Sequence, residues 1–213
     1  YASIFSIGKK FLLIDFNSIT HEYFNSNIKN SSWLLVNSMV SRDLVNSEYN
    51  IRVSECKEGL DLVNKSTKKN ISLSALTFND IEVIKNNKKL YNRLLHVYYE
   101  NQRVKKMKEE ILNGNLNNIG ELLLESHCSL SKNYEVSCDE IDFIISISKK
   151  HPGFIGGRIM GGGFGGCTIN LVKDNLKEDF ILFLKNQFYN EYKTGIEVEE
   201  FSFSDGSHIL TNL

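Results

Sequence analysis

A dense cluster of glycines is the feature that most restricts how this chain can fold. Five of its 14 glycines fall in six positions, Gly161-Gly162-Gly163-Phe164-Gly165-Gly166. Glycine loses more backbone entropy on folding than any other residue, so such a cluster is unfavourable unless the backbone needs positive φ or a close approach. Apolar segments flank it at 154–160 and 167–172. We predict two strands joined by a glycine loop.

Three explanations of the glycine loop can be compared. Gly161, Gly163 and Gly166 fit the spacing G-x-G-x-x-G, but a dinucleotide fingerprint must open a helix, and here a strand-like segment follows. A hairpin loop would use glycine at positive φ, although one or two glycines suffice for that. A loop beside a phosphate would present successive N–H groups to an anion. The residues favour the phosphate-proximal loop and leave the hairpin open.

Hydrophobic periodicity predicts an α+β fold. The predicted strands are 11–16, 20–25, 33–37, 154–160, 167–172 and 196–203, the last with a bulge. The predicted helices are 49–63, 79–85, 88–112, 119–130, one that follows a Ser137–Glu140 capping box and one after Asp174. The C-terminal order helix, strand, strand, helix, strand follows a helical block. This order is typical of a two-layer, ferredoxin-like domain.

Composition limits the kinds of binding partner that we expect. The 213 residues carry a net charge of −1, so we expect no nucleic-acid partner. No apolar run approaches the roughly 20 residues of a membrane span, so we expect no membrane partner either. The four cysteines lack C-x-x-C spacing, which argues against a metal site and indicates a reduced, cytoplasmic protein.

The segment at 156–172 reads GGRIMGGGFGGCTINLV. It resembles the C-terminal glycine motif of the galactokinase family, one of the GHMP small-molecule kinases. Further matches run in order from about residue 8 to residue 207: LLID at 12–15, SEYNIR at 47–52, ESH at 125–127, YEVSC at 134–138 and SDG at 204–206. The phenylalanine among the glycines points to galactokinases more than to mevalonate or homoserine kinases.

The resemblance implies a fold and an activity. It implies the ferredoxin-like C-terminal domain of GHMP kinases at 39–213, preceded at 1–38 by strands from the end of the N-terminal domain. It also implies ATP-dependent, Mg²⁺-assisted phosphorylation of the C1 hydroxyl of galactose. The family's G-I-M-D-Q segment, whose aspartate is the base, is absent from this sequence. We therefore expect the base upstream of Tyr1, no catalytic or metal-binding residue here, and an inactive isolated chain that needs its missing N-terminal domain as partner.

For some individual residues the resemblance and the local pattern predict different roles. The resemblance makes Tyr49 a galactose contact, whereas the helical periodicity makes it a core residue. The resemblance also implies that the glycine loop supports the active centre. The loop consists of Gly161, Gly162, Gly163, Phe164, Gly165 and Gly166. Arg42 and Arg158 either face the cleft or form salt bridges. His127 is expected to pack in the core, Asn101 to be a buried structural amide, and Asp205 has no assigned chemistry.

Two other functions stay open at this stage. A galactokinase-like protein without activity can sense sugar and nucleotide and bind a regulator. A ligand-free interaction module can reuse the fold, since fold alone does not determine function. The retained Tyr49 and the complete glycine loop argue against the interaction module, because a bare scaffold has no need of five clustered glycines.

Overall fold

The structure is a computed structural model that describes residues 1–40 and 45–207. Its helices are α1 Ala2–Phe5, α2 Val45–Thr67, α3 Phe78–Glu82, α4 Lys88–Asn113, α5 Leu116–Lys132, α6 Asp139–Ser148 and α7 Lys177–Tyr192. Its strands are β1 Phe11–Asp15, β2 Thr20–Phe24, β3 Ser31–Asn37, β4 Phe154–Met160, β5 Cys167–Lys173 and β6 Glu197–Glu200. Two 3₁₀ turns lie at Leu73–Ala75 and Asp174–Leu176.

Four strands form the central sheet, in the order β4-β5-β3-β6, and every neighbouring pair is antiparallel. Along the chain these strands alternate with helices as β-α-β-β-α-β, which is the ferredoxin-like arrangement. The predicted α+β, ferredoxin-like fold class is therefore confirmed. β3 lies before the expected domain boundary at 38/39, yet it pairs with both β5 and β6. The two-domain division itself stays a prediction.

Helices cover both faces of this sheet. Successive strand residues point to opposite faces, and Leu34 and Val36 accordingly share one face with Val172, where α6 and α7 pack. Trp33 and Leu171 lie on the opposite face, against side chains of α4 and α5. The site described below lies at the β4–β5 end of this sandwich.

Helix α5 lies directly on strand β4, with backbone in contact with backbone. A Cβ on Gly120 would lie 2.1 Å from the carbonyl oxygen of Ile155, and one on Gly156 would lie 2.4 Å from the Gly120 Cα. Real Cβ atoms do not approach so closely, so both positions require glycine. This contact fixes the height of α5 above the strand that leads into the glycine loop.

The two ends of the described chain meet. The Gly8 N–H donates to Asp205 Oδ1 at 2.7 Å. The Gly206 N–H donates to the Ser6 carbonyl at 2.7 Å, and Ser207 donates to the Ser3 carbonyl at 2.8 Å. The carboxylate of Asp205 thus holds a backbone turn.

Some local predictions differ from the structure. The last strand covers only Glu197–Glu200, although the Phe201 N–H still donates to the Trp33 carbonyl at 3.2 Å. The predicted capping box at Ser137 is wrong, because α6 begins at Asp139 and the Ser137 hydroxyl donates to Asp142 instead. A capping box does exist at Thr77 and Asp80, which open α3.

Candidate functional site

The glycine loop is the turn of the β4–β5 hairpin, closed by the pair Met160 and Cys167. Four glycines in it have positive φ: Gly161 at 82°, Gly163 at 89°, Gly165 at 128° and Gly166 at 72°. L-residues with side chains rarely adopt these angles. The hairpin conformation therefore accounts for four of the five glycines. The fifth, Gly162, is exposed at the tip beside Gly161.

Two glycines of the loop also face backbone at close range. A Cβ on Gly163 would lie 2.3 Å from the Val136 carbonyl oxygen, and a Cβ on Gly165 would lie 2.6 Å from that of Val40. The Gly166 N–H donates to the same Val40 carbonyl at 3.2 Å. The close approach predicted from the sequence is thus real. The approaching groups are other segments of this chain.

Phe164 anchors the loop from its centre. Its φ is 60°, which is rare for a residue with a large side chain. Its N–H donates to the Val136 carbonyl at 2.7 Å, and its ring packs against a cluster of buried side chains that includes Val136 and Ile141. A hydrogen bond and apolar contacts together hold this conformation.

Two arginines hold the segment on which the loop rests, residues 133–136 between α5 and α6. Arg52 donates from Nε to the Tyr134 carbonyl at 2.8 Å and from a terminal nitrogen to the Glu135 carbonyl at 3.0 Å. Arg93 donates to the Asn133 carbonyl at 2.5 Å and pairs with the Glu135 carboxylate at 2.7 Å. The 133–136 segment is therefore tied to both α2 and α4.

The same arginines surround a buried acid. The Glu55 carboxylate accepts from Arg93 Nε at 2.7 Å, and Lys89 lies 3.1 Å away. Burial opposes ionisation of Glu55, but the hydrogen bonds from Arg93 and Lys89 outweigh it and lower the pKa of the carboxyl. Glu55 is therefore a fixed negative charge between two helices.

Tyr49 lies on α2 near this assembly, and 45% of it is exposed. The core reading is therefore wrong for Tyr49 and also for Val53, since the buried part of α2 begins further along, at Glu55 and Cys56. Burial, the Cys56 thiol and the neighbouring Tyr49 all raise the pKa of Tyr134. Tyr49 thus presents an accessible phenol beside the segment that supports the glycine loop.

Three other residues singled out in the sequence lie outside the glycine loop and its support. Arg158 lies 3.4 Å from Glu100 and donates to the Ser126 hydroxyl at 3.0 Å, so it belongs to a salt bridge. His127 is buried, and its Nε2 lies 3.2 Å from Asp142. Asn101 is exposed, so the buried-amide prediction is wrong. Arg42 lies outside the described residues.

Sequence reasoning did not single out Arg93 or His96, and it included Arg52 only as part of the SEYNIR match. Arg93 is 1% exposed and is among the largest fully buried side chains of the chain. His96 is also buried, stacks on Tyr134 with ring centroids 4.4 Å apart and shares a hydrogen bond with Ser129. Positions 93 and 96 lie close to Leu94 on α4. A buried face wider than the apolar stripe was therefore the signal that could have identified Arg93 and His96.

The described residues contain neither a metal-binding cluster of three or more ligands nor a membrane-spanning helix. Within residues 1–40 and 45–207, no group of three or more His, Cys, Asp or Glu side chains is placed to hold a metal ion. In the same ranges, no helix is both long enough and apolar enough to cross a membrane.

Comparison with known proteins assigns the class. The family model described as GHMP kinases C terminal matches residues 107–190. The structure of Leishmania major mevalonate kinase in complex with R-mevalonate shares the fold, with a TM-score of 0.55 at 13% identity over 93% of this chain and 50% of that one. Residues 107–190 are therefore similar to the C-terminal domain of GHMP kinases, and the sheet to which they contribute also includes β3 and β6.

Within that class the chain is homologous to galactokinases along nearly its whole length. It is 34% identical to galactokinase of Thermosipho africanus, over 97% of this chain and 57% of that protein. It is 34% identical to galactokinase of Bacillus subtilis, over 91% and 50%. A crystal structure of Lactococcus lactis galactokinase complexed with galactose superimposes with a TM-score of 0.90 at 30% identity, over 97% and 54%. The predicted relationship is confirmed, and the chain spans about half the length of these relatives.

Proposed function

We propose that this chain is the C-terminal part of a galactokinase, which transfers the γ-phosphoryl group of ATP to the C1 hydroxyl of galactose. One observation carries the proposal: a TM-score of 0.90 to a galactokinase that was crystallised with galactose, over 97% of this chain. Identity to two further galactokinases supports it. As in the sequence prediction, we propose a cytoplasmic enzyme.

Phosphoryl transfer needs a base at the attacking hydroxyl, positive charge on the moving phosphoryl group and donors around the triphosphate. In this proposal the chain supplies a sugar contact and a loop. Tyr49, an exposed residue, binds galactose through its hydroxyl. Gly161 and Gly162, exposed at the tip of the hairpin, lie beside the transferred phosphate.

The proposed reaction also uses Mg²⁺, which neutralises charge on the phosphates when bound. Within residues 1–40 and 45–207, no three or more His, Cys, Asp or Glu side chains are grouped to hold a metal ion, so these residues offer no complete ligand set for Mg²⁺ on their own. The general base and the ligands of Mg²⁺ and ATP are proposed to lie in the N-terminal half of the complete enzyme, before a domain division at 38/39.

A chimera tests the proposal. This chain replaces the matched half of Lactococcus lactis galactokinase, and ADP release is measured with galactose and Mg-ATP. We expect steady turnover from the chimera and none above background from the 213-residue chain alone. Circular dichroism and gel filtration establish that both proteins are folded.

Three outcomes would contradict the proposal. A folded chimera that binds galactose and ATP by calorimetry without turnover would show that this half does not support catalysis even when the other half supplies the base. A folded chimera that binds neither ligand favours an interaction module. Turnover by the isolated chain would show that the missing half is not needed.

A further inference from the structure

We infer that Arg52 is a positioning residue that fixes the glycine loop relative to the helix that carries Tyr49. Its catalytic consequence rests on the proposed function, whereas its contact with the loop does not. Arg52 lies on α2, and its side chain is only 11% exposed. Apart from two glutamates on its own helix, the guanidinium reaches three partners, and each of these belongs to the loop or to its support.

The first two partners are consecutive carbonyl groups. Arg52 donates from Nε to Tyr134 at 2.8 Å and from a terminal nitrogen to Glu135 at 3.0 Å. The next carbonyl along the chain, that of Val136, accepts the Phe164 N–H at 2.7 Å. Three successive carbonyls thus join α2 on one side to the glycine loop on the other. A shift of this short segment would move the loop with it.

The third partner is the loop itself. The Arg52 guanidinium carbon lies 5.8 Å from the centroid of the Phe164 ring. A cation within about 6 Å of an aromatic face is attracted to it. Because Phe164 has a positive φ, its position depends on such external contacts.

Arginine suits this place better than lysine. Its planar fork donates in two fixed directions and also lies flat on a ring, whereas the ammonium of lysine is a compact point charge. Glu48 at 3.8 Å and Glu55 at 3.6 Å balance the charge and orient the guanidinium from the side of α2. Arg93 holds the same segment but donates to Glu55, Asn133 and Glu135.

The position of Arg52 on α2 relates the loop to the proposed sugar contact. Tyr49 precedes Arg52 by three residues, and residues three apart share one side of a helix. Besides burial and the Cys56 thiol, Tyr49 raises the pKa of Tyr134, whose carbonyl Arg52 binds. Arg52 therefore sets the distance between Tyr49 and the glycine loop.

Amide hydrogen exchange on the 213-residue chain tests the contact without any ligand. We expect Arg52→Ala to accelerate exchange of the Phe164 amide about tenfold, because local opening governs exchange there. The Gly166 amide, which donates to Val40 and not to the 133–136 segment, should change less than about threefold on the same scale. Arg52→Lys should accelerate exchange of the Phe164 amide about as much as Arg52→Ala does. Lys177→Ala, which removes the ion pair between Lys177 on α7 and Glu200 on β6, is the matched control and should change neither amide.

Equal acceleration throughout β3, β4 and β5 would show that Arg52 only stabilises the fold, and the inference would be overturned. An unchanged Phe164 amide would overturn it as well.

Kinetics of the chimera test the consequence. Arg52→Lys should lower kcat about tenfold and leave KM for galactose within about twofold, since positioning affects the reaction more than uniform binding. If the unmodified chimera shows no turnover, the proposed function fails, while the exchange result still decides the contact. If exchange changes at Phe164 and kcat does not, the positioning role is wrong and the proposed function stands.

Discussion

Arg93 and Glu55 form an ion pair between α4 and α2, with Nε and Oε2 2.7 Å apart and both residues at most 7% exposed. The pair lies behind the 133–136 segment, to which Arg93 also donates. Charged groups are stable in such a place only when every partner is present. The pair is therefore a sensitive point of the helical block.

Arg93→Met should destabilise the chain by about 2–4 kcal/mol, because it leaves a buried carboxylate with weaker partners. Urea unfolding followed by circular dichroism gives the free energy of unfolding. The control is Lys177→Ala, which breaks an exposed pair of similar length and should cost less than about 1 kcal/mol. Equal effects of the two variants would contradict this account of the pair.

The free energy of unfolding should also depend on His96. Burial lowers the pKa of His96 to about 4, against about 6.5 in an unfolded chain. Between these values the unfolded state binds a proton that the folded state does not, so stability falls as pH decreases from 6.5 towards 4. We expect a loss of about 2 kcal/mol between pH 7 and pH 5 from this group.

His96→Gln isolates that contribution. The variant should lose less stability than the parent chain over the same pH interval, in urea titrations at pH 7 and pH 5. A parent and a variant with parallel pH profiles would show that His96 is not the group responsible.

The sequence was informative where local chemistry decides the structure. The strands on either side of the glycine loop follow from their β-branched and apolar residues, and Gly114 ends α4 in the left-handed conformation expected of a C-cap. Ser137 shows the limit of such reasoning. Its sequence fits the pattern of a capping box, but its hydroxyl donates to the carboxylate of Asp142 instead.

Tertiary partners were out of reach from one sequence. The sequence shows Arg52 only as the last residue of the SEYNIR segment, whereas its role depends on carbonyls 82 and 83 residues away. Asn101 lies at a core spacing on α4, yet the helix exposes that position and buries part of Glu100 instead. Helical periodicity identifies one side of a helix, but it does not show where along its length a neighbour covers that side.

Gly163→Ala should destabilise the chain by at least about 2 kcal/mol. The new Cβ would lie 2.3 Å from the Val136 carbonyl oxygen, at a φ of 89°. Backbone cannot move aside as a flexible side chain does. Gly195→Ala is the control, since nothing lies within 4 Å of its Cβ position. It should change stability by less than about 0.5 kcal/mol, measured by urea unfolding, and similar losses in both variants would refute the packing argument.

Tyr49→Phe separates sugar binding from folding. Tyr49 is 45% exposed, so removal of its hydroxyl should leave the free energy of unfolding within about 0.5 kcal/mol. In the chimera the same change should raise KM for galactose about tenfold, which corresponds to the loss of one hydrogen bond to the sugar. KM for ATP should stay within about twofold, because a sugar contact acts on one substrate only. Tyr91→Phe is the matched control: its hydroxyl donates to Glu82, on the helical block and away from the glycine loop. An unchanged KM for galactose in Tyr49→Phe would remove this residue from the proposed site.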